Sequence, residues 1–207
     1  MMFNIEKRNL FLRVGAGAAV AAFAGTKAIA ATSAAIQAQN PREQLRQKRF
    51  PNVPLLTHAD KEVRFYDDVL EDKKVVINFM YTVCTNICTP VTHNIREAQQ
   101  LLGDFADDIH FYSISLTPLQ DDPASLRNYM KDFQIGKNWT FLTGKPENVE
   151  RVRQGLGFAQ KDAKQDADIT NHAGMVRIGN ERLGSWGHAS AMTTGKSVAR
   201  MIRFELG

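Results

Sequence analysis

The chain of 207 residues contains only two cysteines, Cys84 and Cys88, and three residues separate them. On a helix, positions i and i+4 lie about 5 to 6 Å apart, which suits a disulfide or two thiolates on one metal ion. A helix N-terminus beside them favours the thiolate, the species that attacks disulfides and binds soft metals. The pair therefore predicts metal binding or disulfide exchange.

A structural disulfide is the alternative interpretation of these cysteines in an exported protein. A bond between Cys84 and Cys88 closes a very short loop, and the stabilisation of the folded state grows with the logarithm of loop length. A stabilising crosslink would more usefully join distant segments of the chain. We therefore expect the two thiols to act chemically.

A strand, a turn and a helix must position the thiols. Residues 75–81 form a continuous apolar run rich in β-branched side chains, which is typical of a strand buried on both faces. Pro90 suits an early helical position, and apolar residues follow at helical spacing until Gly103. Residues 109–116 predict a second strand, and Asp122 opens a second helix. A strand–helix–strand connection of this kind joins parallel strands by a right-handed crossover. The cysteines therefore lie at the carboxyl end of the strands, where parallel sheets place their sites.

The rest of the chain predicts a third strand and helix, a hairpin and a closing helix. In chain order, these are a strand over residues 139–142, a helix from Pro146 to Gly155 or Gly157, a charged loop over 162–168, hairpin strands over 174–178 and 182–186 around Gly179-Asn180, and a helix over 194–204. The predicted fold class is α/β, with a mixed central sheet and helices on both faces.

The N-terminus has the three-part layout of a signal peptide. A charged opening of Glu6, Lys7 and Arg8 precedes an apolar stretch over residues 14–24, and residues 28–30 read Ala-Ile-Ala. The apolar run of about eleven residues is shorter than the roughly 20 that cross a bilayer as a helix. Residues 7–13 also resemble a twin-arginine export signal with Lys in place of the first Arg. We expect export of the chain.

These features divide the chain into a removable leader over residues 1–30, a linker or N-terminal arm over 31–52, and one folded domain over 53–207. The formal net charge is +4, and the leader, with four Lys or Arg and one Glu, accounts for most of it. The folded domain is nearly neutral, which argues against a nucleic-acid partner. We expect a periplasmic or other extracytoplasmic protein that contacts the membrane only if the leader is retained.

Three segments of the sequence resemble the Sco/SenC family of thioredoxin-fold copper proteins. They are Phe79-Met80-Tyr81-Thr82-Val83-Cys84-Thr85-Asn86-Ile87-Cys88, then Ser113-Ile114-Ser115-Leu116 with Asp121-Asp122-Pro123, and Trp139-Thr140-Phe141-Leu142-Thr143-Gly144. The resemblance covers roughly residues 53–207. It implies a thioredoxin-like three-layer sandwich.

The resemblance also implies a copper site. In that family a late histidine just before a strand joins the two cysteines, and the matching residue is His172. The implied metal ligands are therefore Cys84, Cys88 and His172, a set that suits Cu(I) and can accept Cu(II). The family usually has Pro where this chain has Thr89 and Asp where it has Asn171, but neither departure removes a ligand.

The implied function is that of an exported copper chaperone and thiol-redox protein that supports copper-site assembly in a respiratory oxidase. The expected partner is a copper-accepting or cysteine-bearing exported protein, for example a cytochrome oxidase subunit. If the chain is an enzyme, the alternative is a metal-independent thiol:disulfide oxidoreductase with Cys84 and Cys88 as its redox pair. The usual spacing for that chemistry is CxxC, which favours the chaperone.

Two weaker functional alternatives remain. The thiols could serve a peroxidase, in which Cys88 resolves a sulfenic acid on Cys84, or the chain could be a non-enzymatic interaction module.

Among the other candidate ligands, His188 is the substitute for His172, and we expect Met175 to pack in the core. The remaining histidines, which we expect to be structural or solvated, are His58, His93 and His110.

Overall fold

Seven strands and five α-helices make up the part of the chain that the computed structural model describes, namely residue 46 and residues 49–84, 87–168 and 174–207. The strands are β1 (Pro54–Thr57), β2 (Glu62–Arg64), β3 (Lys74–Met80), β4 (Ile109–Ser115), β5 (Trp139–Thr143), β6 (Met175–Asn180) and β7 (Ser185–Ser190). The helices are α1 (Cys88–Leu102), α2 (Pro123–Asp132), α3 (Pro146–Gly155), α4 (Ala163–Ala167) and α5 (Gly195–Leu206). The predicted leader and His172 lie outside the described residues. The described residues include no membrane-spanning helix.

The strands form one mixed sheet in the order β2-β1-β5-β4-β3-β6-β7. The central strands β3, β4 and β5 are parallel, whereas β1 and β6 run antiparallel to their central neighbours. The edge strands β2 and β7 are antiparallel to β1 and β6. The predicted parallel βαβα unit and the predicted mixed sheet are therefore confirmed.

Strand β3 is buried on both faces because its side chains alternate between two cores. Val76 and Met80 pack with helices α1, α2 and α5, and the same core contains both cysteines. Val75, Ile77 and Phe79 pack with helix α3 on the other face. Helices therefore cover both faces of the sheet, which confirms the predicted three-layer α/β architecture.

Local sequence signals set the bounds of the helices near the site. Helix α1 ends before Gly103, whose φ of 55° lies in the left-handed region that glycine adopts without strain. Helix α2 begins with Pro123, and the side chain of Asp122 accepts a hydrogen bond of 2.7 Å from the N–H of Ser125. Both helix boundaries agree with the sequence prediction.

The predicted hairpin turn at Gly179-Asn180 is wrong. Both residues belong to β6, which pairs with β7 up to Asn180 opposite Ser185, and the connection is residues 181–184. A Cβ atom on Gly179 would lie 2.3 Å from the ring of Trp186, so the glycine admits the indole against the strand. The turn instead uses Gly184, whose φ is 65°.

Two further expectations for the second half of the chain are also wrong. The predicted charged loop over residues 162–168 contains the short helix α4, and the side chain of Asp162 caps it by accepting from the N–H of Lys164 at 2.8 Å. Met175 does not pack in the core. It is the first residue of β6 and its exposed fraction is 37%.

The chain before β3 contains structure that the sequence analysis did not predict. Strands β1 and β2 pair as an antiparallel hairpin beside β5, and a π-helical turn over Phe65–Leu70 packs under the sheet. Phe50 is buried against Trp186, with 4.7 Å between the ring centroids. Phe50 falls in the segment predicted to be a linker, and the domain boundary at residue 53 stays a prediction.

Candidate copper and thiol site

The two cysteines lie in the turn that connects β3 to α1, at the carboxyl end of the parallel strands. The N–H of Cys84 donates to the carbonyl oxygen of Tyr81 at 3.2 Å, which folds the chain back after β3. The N–H of Cys88 donates to the Sγ of Cys84 at 3.2 Å. Both side chains are buried, with exposed fractions of 6% for Cys84 and 0% for Cys88. The structure therefore brings the two predicted thiols together.

Hydrogen bonds hold the negative charge on Cys84. Burial opposes its ionisation, but the Cys88 thiol, the Tyr81 hydroxyl and backbone N–H groups at the start of α1 all donate to its sulfur. Together they lower the pKa of Cys84 from 9.0 to about 7. A large fraction of Cys84 is therefore thiolate at neutral pH.

Cys88 has the opposite character. Burial, its hydrogen bond to Cys84 and the nearby negative charges of Cys84 and Asp121 raise its pKa to about 12. The pKa of Tyr81 is also raised to about 12, first because its hydroxyl donates to Cys84. At neutral pH the site thus combines a largely ionised Cys84 with a protonated Cys88, and the Tyr81 hydroxyl is a second hydrogen-bond donor to the Cys84 sulfur.

The carboxylate of Asp121 lies beside this turn and is fully buried. It accepts hydrogen bonds from the hydroxyls of Ser115 at 2.6 Å, Thr117 at 2.9 Å and Thr82 at 2.5 Å. The N–H of Thr82 also points at it, at 3.3 Å. Asp121 thereby connects the end of β4 to the residues just before Cys84.

The third predicted ligand, His172, lies outside the described residues, so its place relative to the thiols stays a prediction. Within the described part of the chain, no group of three or more His, Cys, Asp or Glu side chains could hold a metal ion. The described site therefore supplies two sulfur donors. A thiolate and a second thiol are soft ligands, and this donor set fits Cu(I) better than the hard cations.

The substitute ligand His188 lies on the other face of the sheet. Its neighbour Ala189 packs in the core that contains the cysteines, and successive strand residues point to opposite faces. His188 accordingly lines a surface cavity with Phe158, which belongs to the second core. The geometry gives no support to His188 as a ligand beside the thiols.

The other histidines are placed as predicted. His58 is structural, because its Nδ1 accepts a hydrogen bond of 3.2 Å from the N–H of Phe141. His93 and His110 are exposed, on α1 and β4.

Sequence reasoning missed Tyr81 and Asp121 as members of the site. Tyr81 directly follows the last residue of β3, three positions before Cys84, so its place at the strand end was a usable signal. Asp121 directly precedes Asp122, the N-cap residue of α2. Because a helix cap accounts for an acidic residue at this point of the sequence, nothing indicated a buried role for Asp121. Only the structure shows that Asp121 turns inward.

Comparison with known proteins decides the family. The sequence model of SCO1/SenC matches residues 47–204 of the chain. This chain belongs to the SCO1/SenC family. The resemblance that the cysteine segment indicated is therefore confirmed, and the match spans every strand and helix described above except the last residues of α5.

Individual SCO1/SenC relatives are distant. The SCO1 protein homolog of Bacillus subtilis is 32% identical over 68 residues, which cover 32% of this chain and 35% of that protein. The match thus spans about a third of that relative's length. A SCO2-like protein of Rickettsia conorii is 26% identical over 108 residues, 52% of each chain.

A solved structure confirms the SCO1/SenC fold. ScoI of Bradyrhizobium japonicum with copper bound superposes with a TM-score of 0.57 at 24% identity, over 75% of this chain and 99% of that one. At this identity the likeness shows the fold, and the predicted thioredoxin-like sandwich is confirmed.

Proposed function

We propose that this SCO1/SenC protein is an exported copper chaperone and thiol-redox protein that supports copper-site assembly in a respiratory oxidase. Its ligands are Cys84, Cys88 and His172. The observation that carries the proposal is the buried thiol pair, in which the Sγ of Cys84 accepts from the N–H of Cys88 at 3.2 Å. Family membership and the copper-bound ScoI of similar fold support the choice of metal.

The asymmetry of the thiols suits reversible binding of a soft cation as cargo. Cys84 offers a thiolate at neutral pH, because its pKa is about 7. Cys88 then gives up its proton as Cu(I) binds, and the cation compensates the second negative charge in the buried site. Thiols of a recipient protein can take over the cation as Cys88 regains its proton.

The same asymmetry favours a second candidate function, that of a metal-independent thiol:disulfide oxidoreductase. The Cys84 thiolate attacks a partner disulfide, forms a mixed disulfide and releases one partner thiolate, which takes up a proton. Cys88, once deprotonated, attacks the Cys84 sulfur, so that the second partner thiol leaves and a Cys84–Cys88 disulfide remains. The partner is reduced by two electrons and the cysteine pair is oxidised by two.

The location and the partner complete the proposal. The signal-like residues 1–30 support export to the periplasm or another extracytoplasmic space, with a linker over 31–52 and the functional domain over 53–207. We propose an exported recipient that accepts copper or bears reducible cysteines, such as a copper-carrying oxidase subunit. Membrane contact then depends on retention of the leader.

Deletion of the gene in the source organism tests the proposed role. We expect oxidase activity and oxidase-bound copper to fall, and the wild-type chain to restore them. Cys84→Ser and Cys88→Ser should fail to do so, whereas Thr89→Ser should succeed, because Thr89 is an exposed neighbour on the same helical turn. Full restoration by a chain that lacks both cysteines would contradict the proposal.

The histidine separates the two candidate functions in the same experiment. His172→Ala should abolish oxidase restoration if the site carries copper. Oxidase restoration that survives His172→Ala but not Cys84→Ser would instead favour metal-independent disulfide exchange.

A further inference from the structure

Asp121 is a fully buried carboxylate, and none of the ion pairs among the described residues involves it. Hydroxyl and backbone donors take the place of a cation. Three hydroxyls and one N–H converge on its two oxygens. Burying a carboxylate without a cation is costly unless such donors satisfy it, so this arrangement calls for a reason at this position.

The donors to Asp121 come from two different parts of the fold. Ser115 and Thr117 lie at and after the end of β4, and Ser115 is in register with Met80, the last residue of β3. They fix the carboxylate to the rigid end of the sheet. Thr82 lies beyond β3, two residues before Cys84, and its hydroxyl bond of 2.5 Å is the shortest of the set.

We propose that Asp121 is a positioning residue for the thiol pair and acts through Thr82. The carboxylate holds Thr82, Thr82 fixes the turn that ends in Cys84, and the turn keeps the Cys84 sulfur beside Cys88. The proposal rests on the proposed function, because it names what pre-organises that site. Pre-organisation raises the effective concentration of one thiol at the other, which favours both the disulfide and a shared cation.

The geometry supplies a matched pair of variants for the test. Thr82→Val and Thr117→Val each remove one hydroxyl from the same carboxylate and keep the shape of the side chain. Only Thr82 belongs to the turn that precedes Cys84, whereas Thr117 follows β4. Thr82→Ser restores the hydroxyl donor and serves as the conservative rescue. Asp121→Asn keeps the shape but turns one acceptor into a donor that faces hydroxyl donors.

The readout is the equilibrium constant for formation of the Cys84–Cys88 disulfide in the full chain, measured against a glutathione redox buffer. We expect Thr82→Val to lower it by about three- to tenfold, as the loss of one hydrogen bond would. Asp121→Asn should lower it at least as much, and Thr82→Ser should return it to within about twofold of wild type. Thr117→Val should leave the equilibrium constant unchanged, although the urea midpoint of this variant should fall.

Two results would overturn the proposal. One is an unchanged disulfide equilibrium in Thr82→Val. The other is an equal fall in Thr82→Val and Thr117→Val, which would show that the hydroxyls only stabilise the fold. If Asp121→Asn fails to fold, the threonine comparison still decides. Failure of the wild-type chain to bind Cu(I) would refute the proposed copper role. It would not affect the threonine comparison, since the disulfide equilibrium needs no metal.

Discussion

The N–H of Cys88, at the first position of helix α1, donates to the Sγ of Cys84 at 3.2 Å. This contact lets a helix N-terminus stabilise a thiolate that lies just outside the helix. The Tyr81 hydroxyl stabilises the same sulfur. The two cysteines of the motif therefore differ in charge at neutral pH, and this difference can be measured without any metal.

The pH dependence of alkylation tests that difference. The pKa of Cys84 is about 7 and that of Cys88 is about 12. Because only the thiolate reacts, iodoacetamide should label Cys84 with a rate that rises through pH 7 and levels off above it. Cys88 should stay unlabelled in the folded protein up to about pH 9. Peptide mapping by mass spectrometry reads both sites, and preferential labelling of Cys88 would contradict this assignment.

Tyr81→Phe removes one of the donors to the Cys84 thiolate. The loss should raise the pKa of Cys84, so the midpoint of its alkylation profile should move up by about one pH unit or less. Labelling at pH 7 should slow accordingly. Tyr129→Phe is the control, because the hydroxyl of Tyr129 is hydrogen-bonded to Thr92 instead. Equal shifts in both variants would indicate a general change in packing.

Arg153 should contribute strongly to stability. Its guanidinium is buried, with an exposed fraction of 6%, and pairs with Asp166 at 2.7 Å and Glu150 at 2.8 Å. Arg153→Met removes the buried guanidinium that two partly buried carboxylates share, so the free energy of unfolding should fall by about 2 to 3 kcal/mol. Urea denaturation measures the change.

Arg127→Met is the matched control for Arg153. Arg127 pairs with Asp60 at 2.6 Å, but the exposed fractions of their side chains are 48% and 63%. Solvent screens such a pair, and its loss should lower the free energy of unfolding by about 1 kcal/mol or less. A larger loss in Arg127→Met than in Arg153→Met would contradict the ranking by burial.

Gly179→Ala tests the close packing of β6 against Trp186. The new Cβ would lie 2.3 Å from the indole ring, so the ring must move and the free energy of unfolding should fall by about 1 to 3 kcal/mol. Gly136→Ala is the control, because its Cβ would meet only the Gln99 side chain at 3.7 Å. Equal urea midpoints for the two variants would refute the packing role of Gly179.

Much of the fold around the site was predictable from local patterns. The apolar run of β3 and the helical spacing of α1 are short-range signals, and they placed Cys84 and Cys88 at the carboxyl end of a buried strand. The proline that opens α2 and the glycine that ends α1 set boundaries through backbone geometry alone. The thiol pair followed from these elements together with the i, i+4 spacing.

Features that depend on distant partners could not be predicted. Gly179 resembles a turn residue as long as its contact with Trp186 is unknown. Helix α4 lacks the apolar periodicity that marks a helix in sequence, and it is held instead by the ion pair between its Asp166 and Arg153. The inward turn of Asp121 likewise depends on hydroxyls from two other segments of the chain. His172 came from family resemblance rather than from the physics of its neighbours.

The affinity of the reduced chain for Cu(I), measured by competition with a chromophoric Cu(I) chelator, tests whether Cys84, Cys88 and His172 form a copper site. Wild type should bind one Cu(I) per chain, and Cys84→Ser, Cys88→Ser and His172→Ala should each weaken binding by about tenfold or more. His188→Ala, on the opposite face of the sheet, should bind like wild type. Unchanged affinity in both cysteine variants would refute copper binding by the thiol pair, and unchanged affinity in His172→Ala alone would remove that residue from the site.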